Sequence, residues 1–274
     1  MKIRFLGAHN TESKTTRLLS IVVDGRLALD AGGLTGGLTF DEQLGLKVVL
    51  LTHSHYDHIR DIPMLAMNFY LRESGVDIYA TASVREALAS YLLNGQLYPR
   101  FLETPKGQPT VRFHPVVPYQ EMAIEGYGVI AVPTNHAVPT VGYQLTSAAG
   151  RSLFYSGDTG PGLAECWRHI SPELLIIEVT ASSRYTDFGR KSKHLTPDLL
   201  RDELIGFREI NGYLPRVLTV HMNPDLEKEI EAEIAALAVE LDCSIDTKTI
   251  HQAKGESHTA TMVVASPQYR HNSP

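Results

Sequence analysis

The feature that most constrains this chain is the run Leu51-Thr52-His53-Ser54-His55-Tyr56-Asp57-His58. Four potential metal ligands fall within six residues, directly after Val48-Val49-Leu50-Leu51, an apolar run that reads as a buried strand. A loop leaving a strand can turn alternate side chains toward one point. Neutral imidazole and carboxylate together suit zinc, iron or manganese. An exposed polar loop has no need of three histidines and an aspartate at this spacing. The chain carries 12 histidines in 274 residues, while aromatic residues make up only 8%. The histidine excess is therefore not a general enrichment in rings.

Short apolar runs and helical patterns recur elsewhere with no linker between them. Residues 2–6 and 18–23 are predicted strands, with Leu27–Leu29 pairing back across the Asp24-Gly25 turn. Asp30-Ala31-Gly32-Gly33 reads as a flexible turn in a glycine-rich loop that lacks the GK[ST] signature of a phosphate cradle. Helical patterns cover 62–71 and 84–93, the second with Ser83 as N-cap and Gly95 just past its end. Further strands are predicted at 129–132, 141–145, 153–156 and 174–177. Thr196-Pro197-Asp198 opens a helix with a cap, a first-turn proline and an acid. Asn223-Pro224-Asp225 does the same for 226–241, where Leu226, Ile230, Ile234, Leu237 and Leu241 form one apolar stripe. From about residue 247 onward the pattern predicts an edge strand and then a frayed tail. Two batches of strands, each followed by helices, imply a mixed α/β chain read here as one domain over 1–274.

Composition excludes several classes. A chain of 274 residues with 43% hydrophobic content can bury a core without a structural metal. Its net charge of −6 argues against a sequence-independent nucleic-acid binder. Cys166 and Cys243 are too few for a disulfide framework and point to a reducing compartment. The start, Met1-Lys2-Ile3-Arg4-Phe5-Leu6-Gly7, is too quickly interrupted for a signal peptide, and no apolar run spans a bilayer. A cytoplasmic protein with no membrane role is expected.

The run from His53 to His58 matches the HxHxDH motif of the metallo-β-lactamase superfamily. The other ligands of that family follow in order: His136 in Pro133-Thr134-Asn135-His136, Asp158 in Ser156-Gly157-Asp158-Thr159, and His221 in Val220-His221-Met222-Asn223. The resemblance implies an αββα four-layer sandwich. It implies two divalent metal ions, zinc first, with iron or manganese as alternatives. One would be held by His53, His55 and His136, the other by Asp57, His58 and His221, with Asp158 bridging. Neither cysteine falls at a motif position, which disfavours the commonest β-lactamase branch.

Two further segments resemble a subfamily. Ile176-Ile177-Glu178-Val179-Thr180 and Lys193-His194-Leu195-Thr196-Pro197 are similar to the paired E-x-[ST] and HLTP motifs of class II cyclic nucleotide phosphodiesterases, with a related pairing in ribonuclease Z. His136-Ala137-Val138-Pro139-Thr140-Val141-Gly142-Tyr143 looks like the segment after the third motif in both, and Asn94-Gly95-Gln96-Leu97-Tyr98-Pro99 resembles a class II run. The resemblance implies that His194 gives a proton to the leaving oxygen, so Asp57 and His194 are the candidate catalytic residues. The expected activity is metal-dependent hydrolysis of a phosphodiester, with a small cyclic nucleotide as substrate. Arg184, Arg190, Lys191 and Lys193 stand just before His194, where cations suit a phosphate; the plain alternative is a solvated loop. Asp61 replaces a glycine common in relatives, and no Gly/Lys-rich tRNA-binding arm is evident, so nucleic acid is the disfavoured partner. The rival readings are a ribonuclease Z-like nuclease, a lactonase or thioesterase, and a non-hydrolytic di-iron gas-binding protein. A homodimer is left open.

Overall fold

Burial follows the apolar runs. The computed structural model describes residues 1–247 and, beyond them, the backbone of Gln252–Ala253, Glu256–Ser257 and Ala260–Val263. Strands β1 (Lys2–Gly7), β2 (Ser20–Val23), β3 (Leu27–Leu29), β4 (Val48–Leu50), β5 (Val76–Ala80) and β6 (Val111–Pro115) build one sheet. Strands β7 (Glu121–Ile124), β8 (Tyr127–Pro133), β9 (Val141–Ser147), β10 (Ser152–Tyr155), β11 (Leu174–Glu178), β12 (Arg216–Val220) and β13 (Ile245–Thr247) build the other. β14 (Gln252–Ala253) and β15 (Glu256–Ser257) pair with each other, and β16 (Ala260–Val263) is the predicted edge strand, lying antiparallel on β1. The orders are β16-β1-β2-β3-β4-β5-β6 and β13-β12-β11-β10-β9-β8-β7. The predicted tail lies outside the described residues.

The two-residue period of a strand decides which layer each side chain enters. Ile21 and Val23 point between the sheets, where Phe5, Leu29 and Leu50 meet Val129, Tyr143, Leu153 and Ile176. Val22, Ala28, Val49 and Ile78 point outward onto helices that supply Leu34, Ile62, Leu65, Phe69 and Leu88. Phe154, Leu175, Ile177 and Val217 do the same on the other side against Trp167, Leu204, Ile230 and Ile234. The result is the expected αββα sandwich.

Local differences have physical causes. The helix predicted from residue 84 begins at Ala82 after Thr81 and changes at Leu88–Leu92 into a π-turn. Thr196 does cap helix Pro197–Asn211. Asn223 caps a short 3-10 turn, Pro224–Leu226, and the α-helix follows at Glu227–Glu240. The Asp30–Gly33 segment is packed rather than flexible. Ala31 N–H donates to His58 O at 2.7 Å, and a Cβ on Gly32 would come within 2.1 Å of the Asp57 carbonyl. No helix among the described residues is long and apolar enough to cross a membrane.

Strands β3 to β6 run parallel, as do β10 to β13. Their carboxyl ends therefore gather at one end of each sheet, where loops leave the packed layers free to carry chemistry.

Candidate metal centre

The chain leaves β4 extended through His53 and turns into the short helix Tyr56–Ile59, with His55 at its N-cap. Two ligand candidates thus come from extended backbone and two, Asp57 and His58, from a first helical turn. His136 follows β8, Asp158 follows β10, and His221 stands directly after β12. His221 has φ 64°, in the left-handed region, and its N–H is pinned to Ala8 O at 2.7 Å. Strain of this kind collects at functional sites.

All seven motif residues converge, with buried Asp158 at the centre. Its Oδ2 faces Nε2 of His53 at 3.7 Å and of His136 at 3.8 Å. Its Oδ1 faces Nε2 of His58 at 3.1 Å and of His221 at 3.4 Å. His55 Nδ1 lies 3.1 Å from His136 Nε2, and Asp57 Oδ2 lies 3.2 Å from His221 Nε2. Two groups result, His53-His55-His136-Asp158 and Asp57-His58-Asp158-His221, each with donor atoms within 4.8 Å of one another.

A second set of residues aims the rings. His58 Nδ1–H donates to Asp30 Oδ2 at 2.7 Å, and His136 Nδ1–H donates to the Lys193 carbonyl at 3.0 Å. The Thr52 hydroxyl is committed to Asp30 at 2.9 Å and so accepts from His53 Nδ1–H, also at 2.9 Å. The Thr180 hydroxyl is committed to Glu178 at 2.7 Å and so accepts from His221 Nδ1–H at 3.0 Å. Each bond fixes a tautomer and leaves the Nε2 lone pair toward Asp158. Among the described residues, Nε2 of His53, Nε2 of His58 and Oδ1 of Asp158 are buried without a hydrogen-bond partner. Buried polar atoms are nearly always paired. Three orphans facing one point, among imidazoles and carboxylates, fit divalent cations.

Electrostatics agree with that donor set. Burial holds His53, His55 and His136 below the ordinary imidazole pKa. Burial would also lower His58, but Asp158 and Asp30 press on it from both sides and hold it well above, so a cation entering between His58 and Asp158 would displace a proton from Nε2. Burial would raise Asp158 and Asp57. For Asp158 the facing His221 and His58 reverse this, and for Asp57 the adjoining His221 and His58 do. Both carboxyls end below the usual range.

His194 lies against the same centre, its ring stacked on His221 at 5.7 Å and edge-on to His136 at 4.9 Å. Its Nδ1 meets Glu178 Oε1 at 2.6 Å. Burial alone would lower its pKa; the Glu178 carboxylate overrides this and raises it to about 9. Its side chain is 19% exposed, with Nδ1 held against Glu178. Buried Glu178 is itself fixed by Thr159 N–H at 2.9 Å and Thr180 Oγ1–H at 2.7 Å.

Sequence reasoning missed Asp30. It is fully buried and also accepts Tyr155 O–H at 2.6 Å and Thr52 N–H at 2.8 Å. An acid placed directly after a strand, ahead of the glycines, is the signal that could have marked it. The basic cluster is dispersed. Arg184 pairs with Glu229 at 3.0 Å, Arg190 stands 4.0 Å from Asp202, and Lys193 points inward. Asp61 has a structural task, accepting from Thr35 N–H at 2.7 Å and Oγ1–H at 2.8 Å. Cys166 is buried in the core beside Trp167, away from the donor cluster.

The sequence model of the Beta-lactamase superfamily domain matches residues 38–222, and the chain belongs to that superfamily. Among individual relatives, ribonuclease Z of Methanocaldococcus jannaschii is 32% identical over 111 residues, 39% of this chain and 33% of that protein. The match thus spans about a third of that relative's length. Ribonuclease Z of Methanosarcina acetivorans is 23% identical over 253 residues, 72% of this chain and 80% of that one. The unliganded yeast PDE1 structure superimposes with a TM-score of 0.76, covering 90% of this chain and 97% of that one at 15% identity, a likeness of fold alone.

Proposed function

We propose that this chain is a dinuclear metal-dependent phosphodiesterase of single-domain build. His53, His55 and His136 would hold one divalent ion, Asp57, His58 and His221 the other, and Asp158 both. The observation that carries the reading is the set of four Nε2 lone pairs, each freed by a bond at Nδ1 and each turned toward Asp158. Such an ion pair, when bound, supplies Lewis-acid stabilisation of negative charge.

The chain's own residues supply the proton. His194 is protonated at neutral pH, because Glu178 holds its pKa at about 9. Water supplies the oxygen that joins phosphorus; as the P–O bond to the departing oxygen breaks, Nε2 gives that oxygen its proton, and of the two protons the water sheds one restores the ring and the other leaves to solvent. Glu178 keeps Nδ1 and the ring plane fixed throughout. Zinc is the favoured metal, with iron or manganese accepted by the same donors.

A small cyclic nucleotide is the favoured substrate. The net charge of −6 and the pairing of Arg184 and Arg190 with acids leave little cationic surface for a long polyanion. RNA is the second reading, favoured by the two ribonuclease Z matches. Metal-analysed protein assayed against cyclic nucleotides, bis-p-nitrophenyl phosphate, RNA, lactones and thioesters tests both. Phosphodiesters should turn over fastest; a faster lactone or thioester would overturn the proposal, and RNA preferred over cyclic nucleotides would replace the first substrate by the second.

A further inference from the structure

Lys193 holds a backbone conformation that costs it energy. It closes helix Thr186–Ser192 with φ 57° and ψ 53°, left-handed values that glycine adopts freely and a side-chain-bearing residue does not. In that conformation it makes two bonds to one residue. Its carbonyl accepts His136 Nδ1–H at 3.0 Å, and its ammonium donates to the His136 carbonyl at 3.0 Å. The left-handed turn aims the carbonyl at the ring while the side chain folds back over the loop after β8.

The neighbouring segments leave no slack. A Cβ at Gly160 would come within 2.8 Å of Lys193 Cα, so the chain just past Asp158 lies directly on Lys193. Gly160 N–H also donates to Asn135 O at 2.7 Å, tying that segment to the residue before His136. The next residue in sequence is His194. Segments carrying two candidate ligands and the candidate proton donor therefore meet at one lysine.

We infer that Lys193 is a positioning residue for the His53-His55-His136 metal site. It holds the His136 loop and ring where the Nε2 lone pair faces Asp158, and it does not contact the Asp57-His58-His221 group. Its loss should weaken one metal site and spare the other. The inference rests on the two-metal reading above.

The test strips the full chain of metal and titrates it with Zn²⁺ against a chromophoric chelator, and separately with Co²⁺ by visible absorption. Wild type should bind two equivalents. Lys193→Met should bind one equivalent as wild type does and the other about 10-fold more weakly, the low end of what losing a ligand's outer support costs, because the carbonyl bond to the His136 ring remains. Lys193→Gly adopts the left-handed turn without strain, so it folds even if the methionine variant does not, and it should show the same selective loss. Lys193→Arg keeps a donor for the His136 carbonyl and should recover most of the affinity. A purely structural helix-ending role would shift melting temperatures with both metals still bound tightly. Two wild-type-like sites in the glycine variant, or equal weakening of both, would overturn the inference. A wild type that binds no metal would overturn the two-metal reading itself, and this inference with it.

Discussion

Asp30→Asn should switch one histidine tautomer and thereby weaken one metal site. The Asp30 carboxylate accepts from Thr52 N–H at 2.8 Å, Thr52 Oγ1–H at 2.9 Å, Tyr155 O–H at 2.6 Å and His58 Nδ1–H at 2.7 Å. The His58 and Tyr155 bonds both end on Oδ2. Asparagine has the same shape but only one oxygen. With that oxygen kept for the Thr52 N–H, the amide NH₂ faces His58 Nδ1, which must then accept, and the ring proton moves to Nε2. That atom lies 3.1 Å from Asp158 Oδ1 and cannot bind a metal while protonated. With the amide reversed, two donors collide at Thr52.

A lost hydrogen bond to a charged group is worth about 1.5–3 kcal/mol. Altering the partner of a metal-bound histidine costs about 10–100-fold in affinity, or ~1.4–2.8 kcal/mol. The two magnitudes agree, so the variant should fold, melt modestly lower when metal-free, and bind one of two zinc ions about 10–100-fold more weakly. Asp30→Ala differs. It orphans the His58 and Tyr155 donors and the Thr52 N–H, at about 1–3 kcal/mol each, against a total stability of ~5–15 kcal/mol. Its melting temperature should fall much further than that of Asp30→Asn. Zinc titration and calorimetry of metal-stripped Asp30→Asn decide the matter. Unchanged affinity at both sites would refute the idea that Asp30 sets the His58 tautomer.

His194→Ala should keep both metals and lose ~10²–10⁴-fold on a cyclic nucleotide, but less on a nitrophenyl phosphodiester, whose leaving group needs no proton; measuring kcat on both with metal content tests this, and equal losses would point to substrate positioning instead. Because the His194 pKa rises from 6.5 to about 9 on folding, its pairing with Glu178 stabilises the fold fully below pH 6.5 and is lost as pH climbs through about 9. Melting curves of metal-stripped wild type and His194→Ala should therefore differ at pH 6 and converge above about 9; a constant gap would argue against the shift. Elemental analysis of protein purified without chelator should find close to two metal equivalents; a coloured di-iron protein inactive on every ester would favour the gas-binding reading. Bis-p-nitrophenyl phosphate should be hydrolysed faster than nitrocefin, since Cys166 is buried in the core; the reverse order would place the chain in the β-lactamase branch.

Most central strands were legible because they are mainly apolar runs; β12, which begins at exposed Arg216 and carries Thr219, was not among them. β10 and β11 bury both faces, and residues such as Leu153 and Ile176 announce them, as Val129 and Leu145 do for β8 and β9. β5, β6 and β7 were not legible. β5 alternates Val76, Ile78 and Ala80 with half-buried Asp77 and Tyr79, and β6 carries Arg112 and His114. Those polar residues read as loop until the fold brings Arg112 to Asp77 at 2.8 Å and His114 to Asp77 at 2.7 Å. A strand near an edge can afford such pairs, and only the register reveals them. The π-turn at Leu88–Leu92 had no sequence signal, since Leu, Ala and Ser suit either helix.

The same asymmetry divides the candidate site. A metal ligand must be one of a few residue types at a fixed distance from its partners, so His53, His55, Asp57 and His58 stand out as letters, and His136, Asp158 and His221 follow in family order. What orients the rings only has to accept one hydrogen bond. Here that acceptor is a carboxylate at Asp30, hydroxyls at Thr52 and Thr180, and a backbone carbonyl at Lys193. A hydroxyl or a carbonyl has no distinctive letter, and the fold alone brings it to the ring. The two kinds of support should also fail separately. Asp30 bonds His58 directly and His53 only through the Thr52 hydroxyl, which the asparagine oxygen at the Oδ1 position still accepts, while Lys193 bonds only the His136 side. Asp30→Asn and Lys193→Met should each weaken a different zinc ion, and the double variant should weaken both by the sum of the separate free energies, because the two share no direct bond. Loss of the same ion in both single variants would mean that Asp158 couples the halves into one site, and that the division drawn through its two oxygens is wrong.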